Sequence, residues 1–186
     1  QIIKKVKDIA YLENGMDTIT AICTALSPSG IGIIRVSGED AISITDKIFK
    51  GADKKKLAES ESHTIHYGHI VDGDEIVDEV LVMLMKAPRS YTTEDVVEID
   101  CHGGILVLKK VFNLIVSNGA RPSEPGEFTK RAFLNGRIDL TGAEAVMDLI
   151  SAKSDLARKN SVSVLNGVLY KKIKKIREEI LLSIAR

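Results

Sequence analysis

Arg35 lies where a charged side chain is costly to bury. It follows Ile33 and Ile34 in segment 31–37, IGIIRVS, which is apolar and has the composition of a strand. A guanidinium that leaves water needs a carboxylate or another acceptor. We consider two interpretations with about equal weight. Arg35 either lies at an edge or in a structural ion pair, or it holds an acidic or carbonyl group of a ligand.

Glu98 and Arg137 have similar alternatives. Glu98 and Asp100 alternate with apolar residues in segment 95–101, so simple alternation would place them on a solvent face. Arg137 follows Asn135 and Gly136, where a surface charge on a turn explains it. Together, two arginines and a glutamate would suit a ligand with an amidine-like ring and carboxylates. The glutamate would accept from the ring N–H and amino group, but the sequence does not show that the three residues converge.

Three histidines recur at every third position, at 63, 66 and 69. Such a set suggests zinc. In a strand, however, odd and even positions face opposite sides, so His66 would point away from the other two. We therefore expect ordinary strand histidines and assign no metal site.

Residues 101–104, Cys-His-Gly-Gly, lie where a strand is expected to turn into a helix. Glycines allow a ligand to approach the backbone there, and helix N-terminal N–H groups favour anions. A Cys/His nucleophilic pair is the alternative. Because adjacent residues rarely present both side chains to one point, we expect a tight turn with modest ligand contact and assign no catalytic residue.

Nucleotide-binding motifs are missing from the sequence. Nothing matches G-x-x-x-x-G-K-[ST], and the GxGxxG spacing that begins at Gly30 fails at Arg35. The chain is therefore not expected to bind or hydrolyse GTP through a P-loop by itself. The basic run 170–177 suggests an RNA-binding face, but a solvated helix face is favoured because Glu178 and Glu179 follow at once.

Composition indicates an ordinary water-soluble domain. The 186 residues are 44% hydrophobic and 28% charged, and 26 basic residues balance 26 acidic ones. This balance gives no global attraction to nucleic acid or anionic membranes. Two distant cysteines fit a reducing cytosol. No apolar run is long enough for a membrane span and no signal peptide is recognised, so we expect a cytoplasmic protein.

The pattern of elements predicts an α+β fold. Segments 17–25, 31–37, 63–71, 76–85 and 95–101 have strand character, and helices are expected over 40–49 and 105–117. Strands and helices do not alternate strictly, which disfavours a parallel α/β sheet. Residues 1–15 are expected to be a lead-in segment before Met16.

After Thr141 the chain is expected to be a long helical segment, nearly free of breakers except Gly167. Thr141 and Glu144 have the spacing of a capping box. Apolar residues then recur at steps of three and four: Leu165, Leu169, Ile173, Ile176, Ile180 and Ile184. Such a stripe needs a packing partner, which suggests a truncated helical domain or self-association.

Four motifs, MDTITAI, GIGIIRVSG, SYTTEDVVEIDCHGG and EPGEFTKRAFLNGRIDLTGAEAVMDLI, occur in this order from Met16 onward. In this order they resemble the N-terminal part of the MnmE (TrmE) family of tRNA-modification GTPases. The resemblance implies a mixed-sheet α+β domain similar to the folate-binding aminomethyltransferase fold over residues 16–138. Residues 139–186 would begin a central helical domain, and the GTPase domain inserted in it would be absent.

The resemblance also implies a function and its partners. The domain would bind a 5-formyl-tetrahydrofolate-type cofactor through Arg35, Glu98 and Arg137, and would form a homodimer. The full-length protein would bind GTP, Mg²⁺ and K⁺ outside this chain, and with a FAD-dependent MnmG-type protein would modify C5 of the tRNA wobble uridine. Arg137 stands where relatives often have lysine. The alternatives are a stand-alone folate-dependent one-carbon (aminomethyl) transferase and an assembly module with a vestigial folate site.

Overall fold

A seven-stranded mixed sheet forms most of the first of two compact units, residues 1–128 and 129–186. The computed structural model describes residues 17–184, apart from the side chains of residues 169–171. The strands are β1 (Ile19–Ile22), β2 (Ser29–Ser37), β3 (Phe49–Gly51), β4 (Thr64–Asp72), β5 (Glu75–Met85), β6 (Val96–Gly103) and β7 (Arg121–Pro122). Their order is β3-β4-β5-β6-β2-β1-β7, and only the β1–β7 pair is parallel.

Two helices of this unit, α1 (Ala41–Ile48) and α2 (Ile105–Ser117), pack on one face of the sheet. The face is apolar because alternate strand residues point toward the helices. These inward residues include Ile34 and Val36 of β2, Val82 of β5, and Val97 and Ile99 of β6. The predicted α+β class with a mixed sheet is confirmed. The polar strand residues lie on the face of the sheet opposite the two helices.

Arg121 connects the first described residues of the first unit to the last residues of that unit. Its backbone N–H donates to the Thr18 carbonyl oxygen, and its guanidinium donates to Asp17 at 2.5 Å and to both carboxylate oxygens of Glu127 at 2.7 and 3.1 Å. Glu127 is buried, so the bidentate pair is partly shielded from water. These bonds hold β7 beside β1 and fix Glu127, next to Phe128.

The remaining helices are α3 (Glu127–Leu134), α4 (Leu140–Ser151), α5 (Asp155–Leu165) and α6 (Val168–Ile184). The boundary between the two compact units falls within α3, and α4 to α6 belong to the second unit. The predicted long helical segment is therefore divided into three helices, with breaks before α5 and at Gly167. Ser154 caps α5 by accepting from the Ala157 N–H, and Gly167 has φ +73° just before α6.

The predicted capping box of α4 is wrong. Asp139, not Thr141, is the N-cap: its Oδ1 accepts from the Gly142 N–H at 2.7 Å. The Thr141 hydroxyl donates to the same oxygen. Both residue types are good caps, but Asp139 begins the helix two residues earlier.

The apolar stripe of the second unit is largely exposed. Ile173, Ile176, Ile180 and Ile184 are all more than half exposed, and Leu165 is half-buried. Among residues 17–184, no helix has both the length and the apolarity needed to cross a membrane. The predicted lead-in segment 1–15 lies outside the described residues.

Candidate functional site

Arg35 and Glu98 lie directly opposite each other on neighbouring strands. β2 pairs antiparallel with β6, and the register places Arg35 against Glu98. The adjacent residues, Ile34 and Val36 on β2 and Val97 on β6, point into the core. Because strand side chains alternate, Arg35 and Glu98 both face the side opposite α1 and α2.

The two side chains form a close ion pair. Arg35 Nε donates to Glu98 Oε1 at 2.6 Å, and Arg35 Nη2 also lies 2.6 Å from that oxygen. The side chains are only 25% and 15% exposed. Within the described part of the chain, neither side chain has another hydrogen-bond partner, so Glu98 Oε2 and Arg35 Nη1 face the same side of the sheet unpaired. The pair therefore keeps one acceptor and one donor group for a further molecule.

Two aromatic rings flank the Arg35 guanidinium. Its Cζ lies 5.2 Å from the ring centre of Tyr91 and 5.4 Å from that of Phe128. Both distances are within the range of cation–π attraction. Sequence reasoning assigned no role to either ring. They restrict the orientation of the guanidinium and add flat apolar surface beside the ion pair.

Tyr91 is positioned by the loop between β5 and β6. Ser37, the last residue of β2, hydrogen-bonds the Thr92 hydroxyl and donates to Glu94 Oε2, both at 2.7 Å. Ser90 donates to the Glu94 carbonyl oxygen at 2.5 Å. The loop that carries Tyr91 is therefore fastened to the same strand that carries Arg35.

The two cysteines lie in opposite environments. Cys23 follows β1, donates its N–H to Ile33 on β2, and is exposed. Although the residue is exposed at the surface, partial desolvation of its sulfur raises the pKa of Cys23, while Arg35 lowers this pKa and Glu98 raises it. Cys101 is buried in the core, and burial raises its pKa to about 12. The reactivity of the Cys23 thiol can therefore be used to detect changes at the Arg35–Glu98 ion pair.

His102 is held by Asp78 rather than by Cys101. Asp78 is buried, and its two oxygens accept from the His102 ring Nδ1 at 2.7 Å and from the His102 N–H at 2.8 Å. Asp78 Oδ1 also accepts from the Glu79 N–H. The imidazole is exposed while Cys101 points into the core, so the two side chains do not form a nucleophilic pair.

The hydrogen bond to Asp78 raises the pKa of His102, with Glu79 adding to the effect. The stability from this pair is fully present below the unfolded-state pKa, roughly 6.5, and is lost as pH rises through the higher folded-state value. We expect wild type to lose its stability advantage over His102→Gln across that interval. Urea unfolding at a series of pH values measures it. An advantage that grows with pH would contradict the assignment.

Gly103 and Gly104 serve the turn into α2. A Cβ on Gly103 would lie 2.4 Å from the Ser29 carbonyl oxygen. Glycine is therefore required at this position because strand β2 passes close to it, and no ligand is needed to explain the residue. Gly104 is the N-cap of α2 and makes no side-chain capping bond. The expected tight turn is present, and its glycines are explained by packing.

The three strand histidines are not brought together. His63 pairs with Ser62, His66 with Thr64, and the His69 ring lies beside Tyr67. Among the described residues, no group of three or more His, Cys, Asp or Glu side chains is arranged to hold a metal ion.

Arg137 belongs to the second unit. It lies between α3 and α4, its backbone N–H donates to the Ala132 carbonyl oxygen at 2.9 Å, and its side chain is exposed. Its role in a ligand site therefore stays a prediction, whereas Arg35 and Glu98 are in contact.

Comparison with known proteins agrees with the motifs. Residues 18–137 match the family model of the GTP-binding protein TrmE N-terminus. The tRNA modification GTPase MnmE of Lachnoclostridium phytofermentans is 58% identical over 170 residues, which are 91% of this chain and 37% of that protein. The protein of the same name from Bacillus subtilis is 55% identical over 172 residues, 91% of this chain and 38% of that protein. The chain thus spans little more than a third of these relatives, and it belongs to the MnmE (TrmE) family.

Proposed function

We propose that this chain is the folate-binding part of a tRNA-modification GTPase of the MnmE type. Residues 16–138 would form the tetrahydrofolate-binding and dimerisation domain, and residues 139–186 would begin a central helical domain. The observation that carries the proposal is the Arg35–Glu98 pair, flanked by two aromatic rings and retaining an unpaired donor and an unpaired acceptor.

The edge that this pair presents is complementary to a pterin ring. Arg35 offers an N–H donor beside the acceptor Glu98 Oε2, so a ring with a carbonyl next to an N–H and an amino group would bind both. The pyrimidinone part of 5-formyl-tetrahydrofolate has this pattern. The low exposure of the pair strengthens such hydrogen bonds, and Tyr91 and Phe128 would contact the flat ring system.

Arg137 is the proposed third contact. Its exposed guanidinium in the turn after α3 suits the carboxylates of the folate glutamate tail. When bound, the folate supplies a one-carbon unit. The residues of this chain would bind and orient it.

The proposed partners follow from the family. The full-length protein would form a homodimer through residues 16–138, bind GTP, Mg²⁺ and K⁺ outside this chain, and act with a FAD-dependent MnmG-type protein on the tRNA wobble uridine in the cytoplasm. Exposed apolar side chains on the sheet face opposite the helices, Ile65, Tyr67 and Leu81, support self-association.

Calorimetric titration with 5-formyl-tetrahydrofolate tests the site. We expect wild type to bind, and Arg35→Lys to bind about tenfold more weakly, because lysine keeps the charge but loses the planar donor set held between the two rings. Arg89→Lys is the matched control: Arg89 is exposed in the loop that carries Tyr91, so its affinity should not change.

Alkylation of Cys23 gives an independent readout of the same binding. Bound folate should slow the reaction of Cys23 in wild type, with less protection in Arg35→Lys, while buried Cys101 stays unreactive in both. Sedimentation velocity on the same samples should report a dimer. Absence of binding heat together with unprotected Cys23 would refute the folate assignment.

A further inference from the structure

Asp100 lies beside the proposed site without a function in it. It follows Glu98 by two residues on β6 and faces the same side, roughly 6.7 Å further along the strand. The register places it between Ile33 on β2 and Leu81 on β5. A carboxylate with an aliphatic residue on each neighbouring strand has no cross-strand partner for its charge.

Asp100 Oδ1 is shielded from solvent and has no hydrogen-bond partner in the described part of the chain. On β6 and the two strands paired with it, four charged or titratable groups share the side of Asp100: Glu98 and His102 on β6, Glu79 on β5, and Arg35 on β2. His69 on β4 and Lys50 on β3 lie further away on the same face. Arg35 is bonded to Glu98, and His102 to Asp78. Burial, and secondarily Glu98, raises the pKa of Asp100.

A buried acceptor without a donor is unfavourable and rare in folded proteins, so it points to a group that arrives from outside. Among the described residues of β2, β5 and β6 on this face, the two groups that can carry a positive charge, Arg35 and His102, each already have a carboxylate, and the two residues that flank Asp100 are aliphatic. A molecule bound on this face can supply the missing donor. Asp100 is the next polar position along β6 from Glu98, where the second ring of a two-ring ligand held by Glu98 would lie.

We propose, on the basis of the folate-binding function above, that Asp100 accepts the N8–H of a reduced pteridine and makes the site select reduced folates over folic acid. In 7,8-dihydrofolate and tetrahydrofolates N8 carries a hydrogen and donates. In folic acid N8 is an aromatic acceptor, so the carboxylate would face a second acceptor. Asp100 thereby distinguishes the oxidation state of the ring.

The test compares two ligands that differ in this feature. 7,8-Dihydrofolate and folic acid differ only in reduction of the bond between N8 and C7. We expect wild type to bind dihydrofolate at least about tenfold more tightly. In Asp100→Asn the amide both donates and accepts, so the ratio of dissociation constants should fall to about twofold or less. Asp100→Ser should act in the same way.

A pH series separates this role from a structural one. Protonated Asp100 can donate to N8 of folic acid, so the wild-type preference should shrink as pH falls through the raised pKa of Asp100, whereas Asp100→Asn should show no such change. Asp74→Asn, in the exposed turn between β4 and β5, is the control and should keep the wild-type ratio and pH dependence.

The outcomes are distinguishable. If wild type binds neither dihydrofolate nor 5-formyl-tetrahydrofolate, the proposed function and this inference both fail. If wild type binds reduced folate but Asp100→Asn and Asp100→Ser keep its preference, this inference alone is overturned. Loss of the preference in both variants, with reduced folate still bound, supports it.

Discussion

Leu108→Ala is expected to lower the free energy of unfolding of the first unit by about 4 kcal/mol. Leu108 on α2 is fully buried. Its two Cδ atoms lie 2.6 and 2.7 Å from the position that a Cβ on Gly32 would occupy, so the leucine packs directly on the backbone of β2. Truncation leaves a cavity that Gly32 has no side chain to fill. Urea unfolding followed by the fluorescence of Tyr67 and Tyr91, both in this unit, measures the change.

Two comparisons make this prediction specific. Leu106→Ala, on the same helix but 84% exposed, should change stability by less than about 0.5 kcal/mol. Gly32→Ala should destabilise wild type, since the new methyl group would collide with Leu108, but should be tolerated in the Leu108→Ala background, where it fills the cavity. Equal destabilisation by Gly32→Ala in both backgrounds would show that the two residues are not coupled.

Local patterns in the sequence predicted most elements of the first unit but not their neighbours. Alternation indicated that Glu98 faces away from a core, and the apolar surroundings of Arg35 in its segment indicated an edge position, an ion pair or a ligand contact. Their contact depends on β2 pairing with β6 across 63 residues, with β5 on the other side of β6. No local pattern specifies which strands pair, so the sequence left the ion pair as one of several alternatives.

The errors have local causes. β3 has three residues and β7 has two, which is too short for a periodic signal in the sequence. Both strands form by pairing with the edge of another strand in the sheet. The break before α5 had a usable signal, Ser154 followed by Asp155, which is a good N-cap and first-turn pair. Tyr91 and Phe128 had no signal beyond aromatic character in polar surroundings, because their importance comes from the position of Arg35.

Glu98→Gln is expected to weaken the binding of 5-formyl-tetrahydrofolate about a hundredfold, as when one partner of a shielded charge pair is removed. Glu98 Oε1 accepts from Arg35 Nε and lies 2.6 Å from Nη2, and Oε2 is the acceptor proposed for the ligand. Glutamine keeps the shape of the side chain but removes the charge, and its amide group replaces one acceptor oxygen by a donor. The guanidinium, still flanked by Tyr91 and Phe128, loses its carboxylate partner.

Calorimetry on Glu98→Gln and on Glu75→Gln measures this effect against a matched control. Glu75 begins β5 in the same sheet and is exposed, so its neutralisation should leave the affinity within about twofold of wild type. Because Glu98→Gln removes the proposed ring contact, reduced and oxidised folates should be weakened alike, in contrast to Asp100→Asn, which affects their ratio. Wild-type affinity in Glu98→Gln would place the folate away from the ion pair and leave Arg35 and Glu98 as a structural salt bridge between β2 and β6.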